Sequence, residues 1–103
     1  MMYKVKHVPS GLYYQPHKYR GSNLSTRGKV YQTNTHGLSE AFSRAERTPN
    51  NKMAQRFSVY VQEDSVIHKK FRDQFQWETI GYELRGQLKA YTKVTDWVVE
   101  SIQ

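Results

Sequence analysis

Apolar and polar residues alternate through residues 2–8, with Tyr3, Val5 and His7 on one side and Lys4, Lys6 and Val8 on the other. A period of two predicts a β-strand with one charged face. Pro9-Ser10-Gly11 is a turn signal, and residues 12–15 predict a second short strand that closes a hairpin over a loop of about three residues. On that strand Tyr13 and Tyr14 point to opposite faces; alternation with Leu12 assigns Tyr14 to the core and Tyr13 to the surface. Residues 17–27 read as a polar loop hinged at Gly21 and Gly28, and residues 29–33 as a third strand with Tyr31 in the core.

The period then lengthens. Leu38, Ala41, Phe42 and Ala45 fall at i, i+3, i+4 and i+7, which predicts an amphipathic helix. Glu40 sits in its first turn and Arg47 in its last, and residues 48–51 end it. Residues 57–61 are the clearest strand, with Phe57, Val59 and Val61 on one face and Tyr60 opposite. Glu63-Asp64-Ser65 caps a second expected helix over residues 66–77, where Ile67, Phe71, Gln74 and Phe75 share a face. Residues 79–85, 87–91 and 96–102 predict the remaining strands, with a kink at Gly86. The expected fold is α+β: one small domain over residues 1–103, ordered β-β-β-α-β-α-β-β, with an antiparallel sheet of about five or six strands packed against two helices.

Composition narrows the function classes. The 103 residues contain no cysteine, so a disulfide scaffold and a thiolate metal site are excluded. No apolar run approaches the roughly 20 residues of a membrane span, and the N-terminus lacks the apolar core of a secretion signal. The expected protein is soluble and cytoplasmic, without membrane contact. A thin core with 8 Tyr, 4 Phe and 2 Trp makes a homodimer a plausible way to bury more surface.

Charge changes the picture most. The formal net charge is +7, and residues 1–37 carry six Lys or Arg and no acid. Residues 38–75 carry seven bases against five acids, and residues 76–103 three against four. A field this one-sided suits a polyanion. Within residues 11–31, Lys18, Arg20, Arg27 and Lys29 interleave with Tyr13, Tyr14, Tyr19 and Tyr31. Cations neutralise phosphates and rings stack unpaired bases, so this stretch predicts a nucleic-acid surface. Lys4, Lys6, Lys18, Arg20, Arg27 and Lys29 are the expected phosphate ligands, Tyr13 and Tyr19 the stacking residues, and Arg44 and Arg47 a secondary patch. The plainer alternative is a solvated basic face with no partner.

Catalysis finds less support. His7, His17, His36 and His68 are scattered, and no nucleophile occupies a recognisable elbow. His17 and His36 stand in an acid-free stretch that repels metal cations, and His68 with Glu63 and Asp64 matches no metal motif. A metal-independent ribonuclease using His17 and His36 as acid and base, with Lys18 or Lys29 on the phosphorane, is the one enzymatic alternative. The expectation is a non-enzymatic binding protein that needs no cofactor and no metal.

Gly11 to Tyr14 with Pro16, Asn23 to Ser25, and Gly28 to Tyr31 form a "GLYY.P … NLS..GKVY" pattern followed by an expected helix. Over about the first 45 residues the chain resembles small basic accessory proteins of T-even-like tailed phages, the TifA-like antagonists of the ToxIN toxin–antitoxin defence system. The resemblance implies an RNA-binding anti-defence protein that captures a host toxin through RNA. A runner-up reading has the same basic surface cover an acidic patch on a host nuclease or other defence protein without nucleic acid; a third is a structural virion or assembly factor.

Overall fold

A computed structural model describes residues 2–16, 22–34, 46–48, 51–79 and 86–102; for residues 46–48 and 51–55 the description is of the backbone alone. Among these residues the strands are β1 (Met2–His7), β2 (Leu12–Tyr14), β3 (Leu24–Ser25), β4 (Glu46–Thr48), β5 (Asn51–Gln62), β6 (Glu78–Thr79), β7 (Gln87–Lys93) and β8 (Trp97–Ile102). One α-helix, α1 (Val66–Lys70), and one 3-10 turn, Val94–Asp96, complete the set. The strands make two antiparallel sheets, ordered β3-β2-β1-β8 and β4-β5-β7-β6.

Alternation explains the layering. Val5 and His7 of β1 and Leu12 and Tyr14 of β2 are buried, as are Phe57, Val59 and Val61 of β5 and Leu88 and Ala90 of β7. Leu24, Tyr31, Phe71 and Trp97 join them in one core. Phe57 stands edge-on to Tyr14 at 5.7 Å and to Trp97 at 5.3 Å, so one ring of the second sheet meets two of the first. Edge-to-face pairs of this kind add about 0.5–1.5 kcal/mol beyond burial alone.

The two sheets are also tied by hydrogen bonds. At one seam the Trp97 indole N–H donates to Thr92 Oγ1 (2.8 Å), and the Thr92 hydroxyl donates to the Phe57 carbonyl (3.0 Å). Beside it, Val8 N–H donates to the Asp96 carbonyl (2.9 Å), which extends the β1–β8 pairing into the 3-10 turn that links β7 to β8. At the other seam Asn23, just before β3, borders β5. Its Nδ2 donates to the Ser58 carbonyl (3.1 Å), its Oδ1 accepts from Tyr60 N–H (2.8 Å), and its own N–H donates to the Tyr60 carbonyl (3.2 Å). The side-chain amide thereby acts as a short extra strand on β5.

Several expectations are corrected. The strand expected at residues 29–33 is reduced to a single bridge, Tyr3 to Tyr31, while Leu24 and Ser25, assigned to a loop, form β3. Local polarity misled there, because Leu24 alone supplies the core contact. The first expected helix lies largely outside the described residues, but its expected end at Arg47 and the stop at Thr48 are strand: Glu46–Thr48 pairs with β5 as β4. The second helix begins at the expected Ser65 cap, whose Oγ accepts from His68 N–H (3.2 Å), yet ends at Lys70 rather than residue 77. Phe71 closes it, with its N–H donating to the Ile67 carbonyl (2.9 Å). Ile67 and Phe75 pack on the core as expected, whereas Gln74 is exposed. The domain is sheet-rich, with one short helix among the described residues. No helix among them is long and apolar enough to cross a membrane.

His7 is buried between Phe75 (5.5 Å) and Trp97 (5.0 Å), with Nδ1 2.7 Å from Ser10 Oγ. Burial holds its pKa below the ordinary value, opposed by the nearby Asp96 carboxylate. The unfolded chain therefore binds this proton more readily than the folded one, and stability falls as pH drops through the unfolded histidine range near 6.5. Urea unfolding between about pH 7.5 and 5.5 should show that loss, and His7→Asn should flatten it. Asn23→Ala should lower stability by about 1–3 kcal/mol, because it strips a partner from Tyr60 N–H at the seam; chemical denaturation at neutral pH measures it.

Candidate nucleic-acid interface

The hairpin of β1 and β2 positions the site. His7 opens the turn and Gly11 closes it, its N–H donating to the His7 carbonyl (2.8 Å) at φ +75°. With Val5, His7, Leu12 and Tyr14 inward, the other parity faces out. Lys6 is paired with Tyr13 on one side and with Val98 on the other, and Lys4 lies opposite Glu100 of β8. The outer face of the first sheet therefore gathers Lys4, Lys6, Tyr13 and Glu100.

Glu100 organises that face. Tyr13 donates its hydroxyl to Glu100 Oε1 (2.6 Å), and Lys6 Nζ donates to Oε2 at 3.1 Å. Lys4 Nζ lies 5.0 Å from the Tyr13 ring centre, within cation–π range. The hydrogen bond from Tyr13, and then that from Lys6, holds the Glu100 carboxyl below its usual range. The same bond raises the Tyr13 phenol, and the Glu100 contact raises Lys6. Tyr13 is thus anchored rather than loose, and Lys6 is partly neutralised by a carboxylate from the last strand. Sequence separation hid this contact: residues 94 positions apart meet because β1 and β8 pair.

Arg27 and Lys29 flank the glycine that packs against Tyr13. Ser25 Oγ accepts from the N–H groups of Arg27 (3.0 Å) and Gly28 (3.3 Å), which turns the chain back after β3. Gly28, at φ +76°, then lies so close to Tyr13 that a Cβ there would overlap the Tyr13 Cβ. Only glycine fits both the angle and the approach. Lys29 N–H donates to the Tyr14 carbonyl (3.1 Å), and its ammonium lies 5.1 Å from the Tyr31 ring centre. Arg27 and Lys29 flank Gly28 in sequence, so both leave the backbone within one residue of the Tyr13 contact, and both are exposed.

Of the expected site residues, Lys4, Lys6 and Tyr13 share the outer face of the first sheet, while Arg27 and Lys29 flank Gly28 beside Tyr13 and the Lys29 ammonium lies at the Tyr31 ring. Lys18, Tyr19, Arg20 and Arg44, with His17 and His36, lie outside the described residues. Arg47 is in strand β4, not on a helix. Tyr31 is buried, in keeping with its assigned core role.

Sequence reasoning passed over a second group. Arg56 lies 3.8 Å from the Tyr91 ring centre and Lys89 4.6 Å from it, on the other sheet. Alternation along β5 and β7 marks these residues as outward, but only the register between the strands puts them together.

A cleft of about 310 Å³ opens between the β1–β2 turn, residues 74–78 and β7, lined by His7, Phe75, Tyr91, Lys93 and Asp96 among others. His7 is already bonded to Ser10 and packed between rings. The other described histidine, His68, is buried and accepts from Asp64 N–H (2.9 Å). Among the described residues no three His, Cys, Asp or Glu side chains group as metal ligands. What the arrangement offers chemically is cations held beside aromatic rings.

No family model, curated protein or solved structure matches the chain.

Proposed function

We propose that the protein binds single-stranded nucleic acid, RNA in its biological setting, on the outer face of the β1–β2 hairpin. The observation that supports this most is Tyr13, anchored by Glu100, with Lys4 over its ring and Gly28, which Arg27 and Lys29 flank, packed against its Cβ. A cation over a fixed ring, with two more beside the glycine that packs on it, combines phosphate neutralisation with a base-stacking surface. Anchoring by Glu100 lowers the entropy cost of ordering the ring on binding. The same carboxylate takes Lys6 out of the expected phosphate set, so Lys6 serves as a clamp on Glu100.

The biological setting is proposed from the resemblance of residues 1–45 to phage anti-defence proteins. On that reading RNA bridges this protein to a host ribonuclease toxin, and no active site is required. Capture of such a toxin from a host lysate should then be lost on ribonuclease treatment. Capture that survives ribonuclease would instead favour direct covering of an acidic patch.

Binding should weaken steeply with salt, with a log–log slope of about −0.7 for each phosphate neutralised on a single strand. Lys4→Gln, Arg27→Gln and Lys29→Gln together should make that slope shallower by about 2. Fluorescence anisotropy with an unstructured RNA across a salt series, alongside a circular-dichroism check of folding, tests this. An unchanged slope in the folded triple variant would place the interface elsewhere.

A further inference from the structure

The outer face of the second sheet carries its own cation–tyrosine array. Arg56 is opposite Lys93, Ser58 opposite Tyr91, and Tyr60 opposite Lys89, across β5 and β7. Phe57, Val59, Val61, Leu88, Ala90 and Thr92 take up the inward parity and are buried, so this set faces out. Arg56 and Lys89 both contact the Tyr91 ring, at 3.8 and 4.6 Å from its centre. Tyr60 and Tyr91 are diagonal neighbours, about 7–8 Å apart on a standard ladder. Glu46 is directly opposite Arg56 on β4 and Glu78 directly opposite Lys89 on β6, and Glu78 and Asp96 line one cleft with Tyr91 and Lys93. The two central strands, residue by residue from Arg56 to Tyr60 and from Lys89 to Lys93, contain no carboxylate.

We infer that this face is a second platform for single-stranded nucleic acid. Tyr60 and Tyr91 stack successive bases, while Arg56, Lys89 and Lys93 take the phosphates between them. The two sheets share one core, so their outer faces point away from each other. The domain then joins two strands, or two distant segments of one strand, instead of coating one. The class of ligand rests on the reading given under "Proposed function"; the location and the doubling are new. Two tyrosines interleaved with the cations favour a polymer of flat bases over an acidic peptide, which would require the cations alone.

The test is the number of short RNA strands bound per chain. Decauridylate is titrated into the full-length protein at low salt and followed by native mass spectrometry and calorimetry. Two strands per chain are expected. Tyr91→Leu with Lys93→Gln should leave one strand at unchanged affinity and weaken the other at least about tenfold, the scale of one lost stack and one lost phosphate contact. The Lys4/Arg27/Lys29 triple variant should likewise retain one strand, now sensitive to the Tyr91 change. One strand per chain, abolished by the triple variant and indifferent to Tyr91→Leu/Lys93→Gln, would overturn this inference and leave the hairpin interface standing. One strand abolished by the Tyr91/Lys93 variant alone would support this face and overturn the hairpin. No RNA binding in the unmodified protein overturns both, and capture of polyglutamate lost with the Tyr91/Lys93 variant would then assign the face to an acidic protein.

Discussion

The contact on which the rest depends is Phe57 wedged edge-on between Tyr14 and Trp97. A chain of 103 residues with 37% hydrophobic content has little apolar surface to spare. The one helix among the described residues, α1, is only 5 residues long and covers little of either apolar side, so each sheet must cover the other. Rings do this efficiently, because each removes a large apolar area from water with few rotatable bonds. Thr92 between Trp97 and the Phe57 carbonyl, and Asn23 along β5, satisfy backbone groups at the seams where two sheets would otherwise leave unpaired edges.

Once the inward parity of each strand is committed to that core, the outward parity is determined. Lys4, Lys6 and Tyr13 are outward because Val5, His7, Leu12 and Tyr14 are inward; Arg56, Tyr60, Lys89 and Tyr91 are outward because Phe57, Val59 and Ala90 are inward. Charge segregation in the sequence is consequently softened in three dimensions. Glu100 of the acidic C-terminal quarter returns to the basic hairpin and pairs with Lys6. A half-exposed pair of this type, still open to solvent, adds little to stability. Its effect is on the surface: Glu100 fixes the Tyr13 ring, and Lys4 lies over that ring.

Local alternation made β1, β2, the centre of β5 and β8 readable from the sequence, and it correctly separated Tyr13 from Tyr14. The Ser65 cap was legible for the same reason, since its partner His68 is three residues away. Features set by distant pairing were not legible. Leu24-Ser25 looked like loop because its strand character comes from Tyr13 and Tyr14 beside it. Glu46 and Arg47 close an expected helix, with Thr48 as its stop, but all three pair with β5. Glu100 and the Arg56–Tyr91–Lys89 group depend on register across strands that are remote in sequence, and no local pattern encodes register.

If Phe57, Tyr14 and Trp97 bind the two sheets into one cooperative unit, the sheets open together. Native-state amide hydrogen exchange compares Val5 in β1 with Val59 in β5, both fully enclosed. The account predicts the same opening free energy at the two amides, and an equal fall at both in Phe57→Leu. Independent opening of β1, with Val59 still protected at the global value, would contradict it.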